Sequence, residues 1–266
     1  MNTADTEISR FKIIVIQSLK VNDRKTGHEL HESTLKWKDI ICTDVVTEFY
    51  DVLSKHEFLN VLNVIDENLK EGDILTLQIE AHGCEKGIGF TNGDIMEWNE
   101  FQNAIRKINE KIGGLLIVCL AMCFGGATIT TINPKQRAPY LAIVAPFKEV
   151  PAGAIEDGFR EFYAGYNQIL DLPNAMMKIQ KACVDEDGKP YFYALSSENI
   201  FDMTFDLNRD PANLRKIVEL HSFRLTGSIS TENMNKTELI IRNEIESIKT
   251  KYRDFYLFKD IMDGKS

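Results

Sequence analysis

Short apolar runs alternate with amphipathic stretches along most of this chain. Five runs of strand length, rich in β-branched residues, occupy positions 11–19, 45–53, 74–81, 115–122 and 140–145. The segments between them repeat apolar residues every three or four positions, as in the stripe from Phe58 to Leu69. Alternation of this kind predicts an α/β fold in which helices cover both faces of a mostly parallel sheet.

Capping and turn residues place the boundaries of these elements. Ser54 is predicted to cap a helix, and Glu57 three residues later completes a capping box. The pair Asn92-Gly93 predicts a small β-hairpin that leaves the sheet just after His82. The predicted helices are 28–37, 55–70, 98–112, 155–169, 173–183, 211–224 and 232–262, with a further extended run at 191–195.

Composition narrows the class of protein. A chain of 266 residues with 44% hydrophobic and 27% charged residues has material for one sizeable core. Its net charge of −9 argues against nucleic acid or an anionic membrane as a direct partner. We find neither a signal peptide at the N-terminus nor an apolar run long enough to span a membrane, so a cytoplasmic protein is expected.

Two of the predicted strands end at side chains that can do chemistry together. The run 74–81 is followed by His82, and the run 115–122 is followed by Cys123. Because the carboxyl ends of strands in an open α/β sheet lie along one edge, these two side chains are expected to meet. A thiol and an imidazole in contact are what nucleophilic thiol catalysis requires.

Glycines accompany both residues. Gly83 follows His82 directly, and glycine follows Cys123 after one intervening residue. Glycine allows a sharp turn and leaves amide N–H groups free to bind a developing oxyanion. We therefore expect an oxyanion hole formed by the backbone amides of Gly83 and Cys123.

The other cysteines are weaker candidates. Five cysteines without a CxxC pair are expected to be free thiols in a reducing compartment. A cysteine at a strand end is more often a core residue than a nucleophile. Cys119 lies inside an apolar run and is predicted to be a core thiol, and Cys84 is too close to His82 along the chain for an unstrained approach.

Glu80 is a polar residue in a strand that should be buried. It shares a strand face with His82, since successive side chains alternate. A buried carboxylate is costly unless it is paired. Two interpretations stay open: Glu80 lies at the open end of the sheet against His82 or substrate, or this strand is partly solvated.

No cofactor is predicted. His28 and His31 are three residues apart and lack the spacing of a zinc-binding HExxH helix, so no metal site is expected. The sequence Gly87-Ile-Gly89 lacks a third glycine and precedes a hairpin, which argues against a phosphate-binding loop.

Five motifs follow one another in an order that carries more information than any of them alone. They are Thr26-Gly-His-Glu-Leu30, Glu80-Ala-His-Gly83, the hairpin-to-helix run from Gly87 to Trp98, Cys123-Phe-Gly-Gly126, and the stretch from Val150 to Tyr163. Together they resemble the CHAT group of caspase-like cysteine peptidases, relatives of caspases and separase. The resemblance covers roughly residues 8–206, predicted as the peptidase domain, and leaves 207–266 as a C-terminal helical extension.

The resemblance implies a fold and a mechanism. The fold would be a caspase-like three-layer α/β/α sandwich. Cys123 would attack a peptide carbonyl and His82 would transfer protons, in a dyad that needs no third residue. Prokaryotic members often act in defence against phage, which suggests a regulated bacterial role on specific cytosolic protein substrates.

Specificity departs from that of caspases. The glutamine that helps caspases bind aspartate, two residues before the nucleophile, is Ala121 here, and an expected arginine is absent. A strict preference for aspartate is therefore disfavoured. Lys25 and Lys148 near the corresponding loops would form a basic pocket, or Glu80 or another, unidentified acid would favour a basic substrate residue; these alternatives stay open.

Two functions follow from these residues. The first is a cysteine endopeptidase with a protein or peptide substrate. Many such peptidases need an activating partner, an ion or a cleavage step, and this one would be activated in the same way. The second is a catalytically weak interaction module within a larger assembly. The presence of both His82 and Cys123 favours the enzyme.

Overall fold

The computed structural model describes residues 11–42, 44–227 and 229–262. It confirms an α/β fold with a mostly parallel central sheet between helical layers. The strands are β1 Phe11–Ser18, β2 Val45–Asp51, β3 Ile74–Cys84, β4 Gly87–Gly89, β5 Ile95–Glu97, β6 Leu116–Ala121, β7 Ala142–Pro146 and β8 Phe192–Ser196.

Strand order places β3 and β6 side by side near the centre of the sheet. The order is β2-β1-β3-β6-β7-β8, parallel throughout except that β8 runs antiparallel to β7. The short strands β4 and β5 pair with each other, and β4 also pairs with the end of β3. In the register of β3 and β6, Glu80 lies opposite Ala121.

Helices follow the strands in the order that the hydrophobic pattern predicts. They are α1 Thr26–Leu30, α2 Lys36–Ile41, α3 Lys55–Glu67, α4 Trp98–Lys111, α5 Ala152–Gly165, α6 Leu172–Ala182, α7 Ser197–Thr204, α8 Pro211–Thr226, α9 Thr231–Tyr256 and α10 Lys259–Met262. A π-helical stretch, His31–Leu35, joins α1 to α2 without a break in helical backbone. Short 3-10 turns occupy Gly125–Thr131 and Ile169–Asp171.

Two helical layers bury the sheet. On one face α1, α5 and α6 pack over the inward side chains of β1 and β6, such as Val15 and Cys119, with Phe159 and Phe162 at the centre. α3 and α4 form the other layer, where the rings of Phe58 and Phe101 lie 6.4 Å apart. The predicted cap of α3 is confirmed, since Ser54 Oγ accepts a hydrogen bond from the Glu57 N–H at 3.1 Å.

The chain forms two compact units. The first contains the described residues up to Ile132 together with 138–196, and the second contains 133–137 and the residues from Ser197 onward. Within the second unit, Arg253 of α9 donates to Asp202 and Glu198 of α7 at 2.6 Å each. The helix α7, which the hydrophobic pattern did not predict, thus belongs with the C-terminal helices, whereas the predicted division fell at residue 206.

The end of β3 differs from the predicted strand. The predicted hairpin is present as β4 and β5, with a longer loop than the Asn92-Gly93 pair alone implies. β3 itself continues past Ala81 to Cys84 because β4 pairs with its last three residues. His82 is therefore held within a strand.

Membrane insertion through a helix is not supported by the described part of the chain. None of its helices combines the length and the apolar character that a membrane crossing requires.

Candidate active site

His82 and Cys123 lie at one edge of the sheet and share a cavity. Each is two residues beyond the paired residues Glu80 and Ala121 on neighbouring parallel strands. Neighbouring strands run about 4.8 Å apart, so their ends lie close together. Both residues line a cavity of about 410 Å³. The structure thus brings together the two side chains that the sequence singled out.

Two loops and the start of one helix form the walls of this cavity. The loop between β1 and α1 contributes Leu19 and Asp23, the loop after β7 contributes Val150, and the start of α5 contributes Ile155. All of these elements belong to the first compact unit. The cavity lies at the carboxyl end of the parallel strands, the usual location of sites in open α/β sheets.

The Cys123 thiol is held by the loop that follows β7. Its Sγ accepts a hydrogen bond from the Val150 N–H at 3.4 Å. The next residue, Phe124, has a left-handed backbone with φ of 56°, and its N–H donates to the Lys148 carbonyl at 3.2 Å. Strained backbone of this kind is often found at functional sites, and here it turns the chain sharply after the thiol.

Gly83 packs directly against the backbone of Cys123. A Cβ at position 83 would collide with the Cys123 carbonyl and lie 2.9 Å from Met122 Cγ. Only glycine fits at this contact without displacing the residue that carries the thiol.

The two predicted oxyanion-hole amides lie on segments that pack against each other. Gly83 is opposite Ile88 in the pairing of β3 with β4, and the position of its missing Cβ faces the Cys123 carbonyl. Within the described residues, the Cys123 amide donates to no acceptor. The oxyanion hole stays a prediction with which this geometry agrees.

Asp23 is a site residue that the sequence did not reveal. Its Oδ2 lies 2.8 Å from His82 Nε2 and also accepts from the Lys20 N–H at 2.8 Å. The hydrogen bond with His82 is the main cause that lowers the pKa of the Asp23 carboxyl below its ordinary value. A negative charge is therefore maintained beside the imidazole.

The loop that carries Asp23 is tied to itself and to the helices. The Asp23 N–H donates to the Lys20 carbonyl at 3.0 Å, and the Lys25 ammonium donates to the Leu19 carbonyl. Arg24 forms ion pairs with Glu29 of α1 and Glu156 of α5. These contacts fix the position of the carboxylate before any ligand binds.

The contact with Asp23 sets the tautomer of His82. A carboxylate can only accept, so Nε2 must carry the proton. In the neutral ring Nδ1 then has a free lone pair. His82 can therefore act as a base through Nδ1 while Asp23 holds the ring through Nε2.

Glu80 does not contact His82, so it does not lie against this histidine at the open end of the sheet. Its carboxylate accepts from the Thr26 hydroxyl and from the Gln78 amide, each at 2.7 Å, and the residue is 1% exposed. The strand is not solvated either, because α1 covers it: a Cβ on Gly27 would lie 2.7 Å from Glu80 Cγ. Burial raises the pKa of Glu80 to about 7.

The buried polar face of β3 is matched by tyrosines of the layer above it. The Tyr163 hydroxyl donates to Gln78 Oε1 at 3.0 Å, and the Tyr166 hydroxyl lies 3.1 Å from Thr76 Oγ1. Each polar group of the strand thus has a partner, which removes most of the cost of its burial. Glu80 is connected to the cavity through its hydrogen bond with Thr26, a lining residue at the start of α1.

The two lysines do not form a basic pocket. Lys25 binds a backbone carbonyl of its own loop, and Lys148 pairs with Asp185 while lying 4.7 Å from the Tyr191 ring. Neither is among the described residues that line the cavity. Ala121 does line it, at its inner end beside Cys123.

The remaining cysteines are distinguished by burial. Cys84 is exposed on the β3–β4 hairpin and does not line the cavity in the described structure. Cys119 is fully buried, and burial raises the pKa of its thiol well above the ordinary value, so the predicted core thiol is found. The buried Cys183 donates to the Ala154 carbonyl at 3.0 Å, and burial raises its pKa to about 12.

The histidines near α1 have a packing role. The His28 ring lies 5.4 Å and the His31 ring 5.7 Å from the ring of Phe49 on β2. Within the described residues, no three His, Cys, Asp or Glu side chains gather as metal ligands would.

The chain matches no protein-family model, and no curated protein is significantly similar to it. The fold and the site therefore define the class of protein: an α/β protein with a largely parallel sheet and with a thiol, an imidazole and a carboxylate gathered around one cavity at its carboxyl edge.

Proposed function

We propose that this protein is a cysteine endopeptidase that cleaves protein substrates through Cys123 and His82. The observation that carries the proposal is the cavity that both side chains line, with Asp23 bonded to His82 Nε2. A thiol, a base and a group that orients the base are the parts that covalent thiol catalysis needs. The resemblance to CHAT peptidases points to the same reaction.

The first half of the reaction forms a thioester. His82 Nδ1 takes the proton from the Cys123 thiol, and the thiolate attacks the carbonyl carbon of the scissile bond. The amides of Gly83 and Cys123 bind the oxyanion that forms. The intermediate collapses as the C–N bond breaks and His82 returns the proton to the leaving amine.

The second half regenerates the thiol. His82 takes a proton from a water molecule, whose oxygen attacks the thioester carbonyl. The C–S bond breaks, the Cys123 sulfur recovers the proton from His82, and the carboxylic acid product leaves. In both halves the Asp23 carboxylate stabilises the imidazolium without itself being protonated.

An internal peptide bond is the substrate that the surroundings of Cys123 suit. A second cleft of about 480 Å³, lined by Gly83, Glu149 and Tyr191, meets the first cavity at Cys123 and Val150. Chain on both sides of the scissile bond therefore has space. An enzyme that accepts an extended segment in this way is an endopeptidase.

The Cys123 thiol is in contact with the loop after β7. Its Sγ accepts a hydrogen bond from the Val150 N–H, and the Val150 carbonyl is 3.8 Å from Sγ. We place the enzyme in the cytoplasm, where a regulated role in bacterial defence fits the resemblance.

A peptide library tests the proposal. The purified protein is incubated with peptides derived from a proteome, and the products are sequenced beside those of Cys123→Ala and of the exposed control Cys84→Ala. We expect cleavage by the wild type and Cys84→Ala and none by Cys123→Ala. Equal products from the wild type and Cys123→Ala, or loss of activity in Cys84→Ala alone, would overturn the assignment.

A further inference from the structure

The inner surface of the cavity beside His82 and Cys123 is mainly apolar. Small alanine side chains on β3, β6 and the start of α5 leave depth in it, and larger aliphatic groups form its walls. The walls include Leu19, Met122, Val150 and Ile155. At about 410 Å³ it falls in the size range of clefts that bind small ligands.

The acidic side chain that lines the cavity and the one buried beneath it are already engaged. Asp23 is the one acid among the described residues that line it, and its Oδ2 is bonded to His82. Glu80 lies beneath Thr26, is 1% exposed and accepts a hydrogen bond on each oxygen. An incoming lysine or arginine would have to share the Asp23 carboxylate with the catalytic histidine.

The cationic groups are engaged as well. Arg24 is the one lysine or arginine among the described lining residues, and it pairs with Glu29 and Glu156. A substrate carboxylate would have to compete with both acids for Arg24. Burying a charged side chain without a free counter-charge is costly, so the cavity disfavours either sign.

We infer that this cavity binds an uncharged apolar side chain of about the size of leucine or methionine, carried by the substrate residue directly before the scissile bond. The inference rests on the proposed peptidase function and adds the substrate class. Ala121 is the specificity-determining residue at its inner end, where a longer side chain would shorten the space.

Substituting Ala152 tests the inference with little risk to the fold. Ala152 is exposed at the start of α5 and lines the rim of the cavity, so Ala152→Phe narrows the entrance from outside the core. Ala164→Phe is the matched control, because Ala164 is exposed on the same helix and lies away from the cavity. Ala121→Leu, in the buried strand, is the second variant.

Cleavage is measured with a fluorogenic peptide library that varies only the residue before the scissile bond. We expect leucine and methionine peptides to be cleaved about tenfold or more faster than aspartate, glutamate, lysine or arginine peptides. Ala152→Phe and Ala121→Leu should lose that activity and keep cleavage after alanine, whereas Ala164→Phe should match the wild type.

Binding to Cys123→Ala separates this inference from the proposed function. The same peptides, uncleaved, are titrated into Cys123→Ala by calorimetry. Tighter binding of the leucine peptide without any cleavage by the wild type would sustain the inference and overturn the peptidase. Cleavage with a preference for charged residues would support the peptidase function and overturn the inference. Failure of the leucine peptide to bind better than the charged ones would overturn the inference.

Discussion

His82 Nε2 lies 2.8 Å from Asp23 Oδ2, which joins the end of a central strand to the loop after the first strand. The bond holds the ring through Nε2 and, in the mechanism that we propose, leaves Nδ1 to take the thiol proton. It also changes the expected dyad into an arrangement of three residues. Asp23 acts here as a positioning residue, because it touches the base and not the reacting atoms.

Asp23→Asn should lower kcat/KM by about 100-fold or more, within the range that general base catalysis supplies. The asparagine amide can donate to Nε2 and so favour the tautomer that carries its proton on Nδ1. Asp23→Ala, which imposes no tautomer, should lose only about tenfold. The order of the two variants and the pH profile of kcat/KM are the measurements.

A merely structural role for Asp23 would give a different result. Both variants would then lose activity in proportion to their loss of thermal stability, with an unchanged pH profile. Asp187→Asn is the control, because Asp187 lies on an exposed turn and its carboxylate is 76% accessible. Greater activity in Asp23→Asn than in Asp23→Ala would contradict the assignment of the tautomer.

Gly83→Ala should disable the site while leaving the fold in place. The new Cβ would meet the Cys123 carbonyl and Met122, so the loop carrying the thiol must move. We expect a loss of about 100-fold in kcat, comparable to removal of an oxyanion donor, and a destabilisation of about 1–3 kcal/mol from overpacking.

The matched control is Gly89→Ala in the same hairpin. There a Cβ would lie 3.5 Å from the His82 carbonyl, an ordinary contact distance. This variant should keep near wild-type kcat and stability. If the two glycine variants behave alike, close packing against Cys123 is not the reason for glycine at position 83.

The sequence predicted the elements that depend on local pattern. Strand periodicity, the Ser54 cap and the edge of the sheet that gathers His82 and Cys123 all follow from side-chain spacing along one segment. The alternation of side chains along the strand also placed Glu80 on the same strand face as His82. It could not show that α1 would cover this face and supply the Thr26 hydroxyl, since that contact joins residues 54 positions apart.

The residues that sequence reasoning missed or misplaced lie on loops. Asp23 stands in a polar stretch beside Asn22 and Arg24, and nothing in its spacing distinguishes it from them. The two lysines were placed near the site by their position along the chain, but a long flexible side chain can reach acceptors on either side. Lys25 binds the Leu19 carbonyl of its own loop and Lys148 pairs with Asp185, and neither lysine lines the cavity in the described structure.

Stability should fall as pH rises through the range in which Glu80 ionises. Burial raises the pKa of folded Glu80 to about 7, above the ordinary value of 4.5. The unfolded chain loses this proton first, so it binds fewer protons than the folded chain between these values. The stabilisation is complete below pH ~4.5 and is lost by pH ~7, a change on the order of 1–3 kcal/mol.

Urea unfolding at pH 5 and pH 8 measures this effect. Glu80→Gln, which cannot ionise, should lose most of the difference between the two pH values and be the more stable protein at pH 8. Glu85→Gln, on the exposed hairpin turn, should behave as the wild type does. A wild type that gains stability from pH 5 to pH 8, with Glu80→Gln following it, would show that Glu80 is ionised in the folded protein throughout.

Alkylation at pH 6 should label Cys123 before the other cysteines. Alkylating reagents react with the thiolate, and His82 can take the proton from Cys123 in the proposed mechanism. Cys84 is the exposed free cysteine with which its rate is compared. Cys119 and Cys183 are buried, and their raised pKa values keep them as thiols, so neither should react while the protein is folded. We expect mass spectrometry to show that Cys123 reacts about tenfold faster than Cys84.

His82→Ala should abolish this advantage and leave the rate at Cys84 unchanged. An equal rate at both sites in the wild type would mean that the thiol does not reach the imidazole in the free protein.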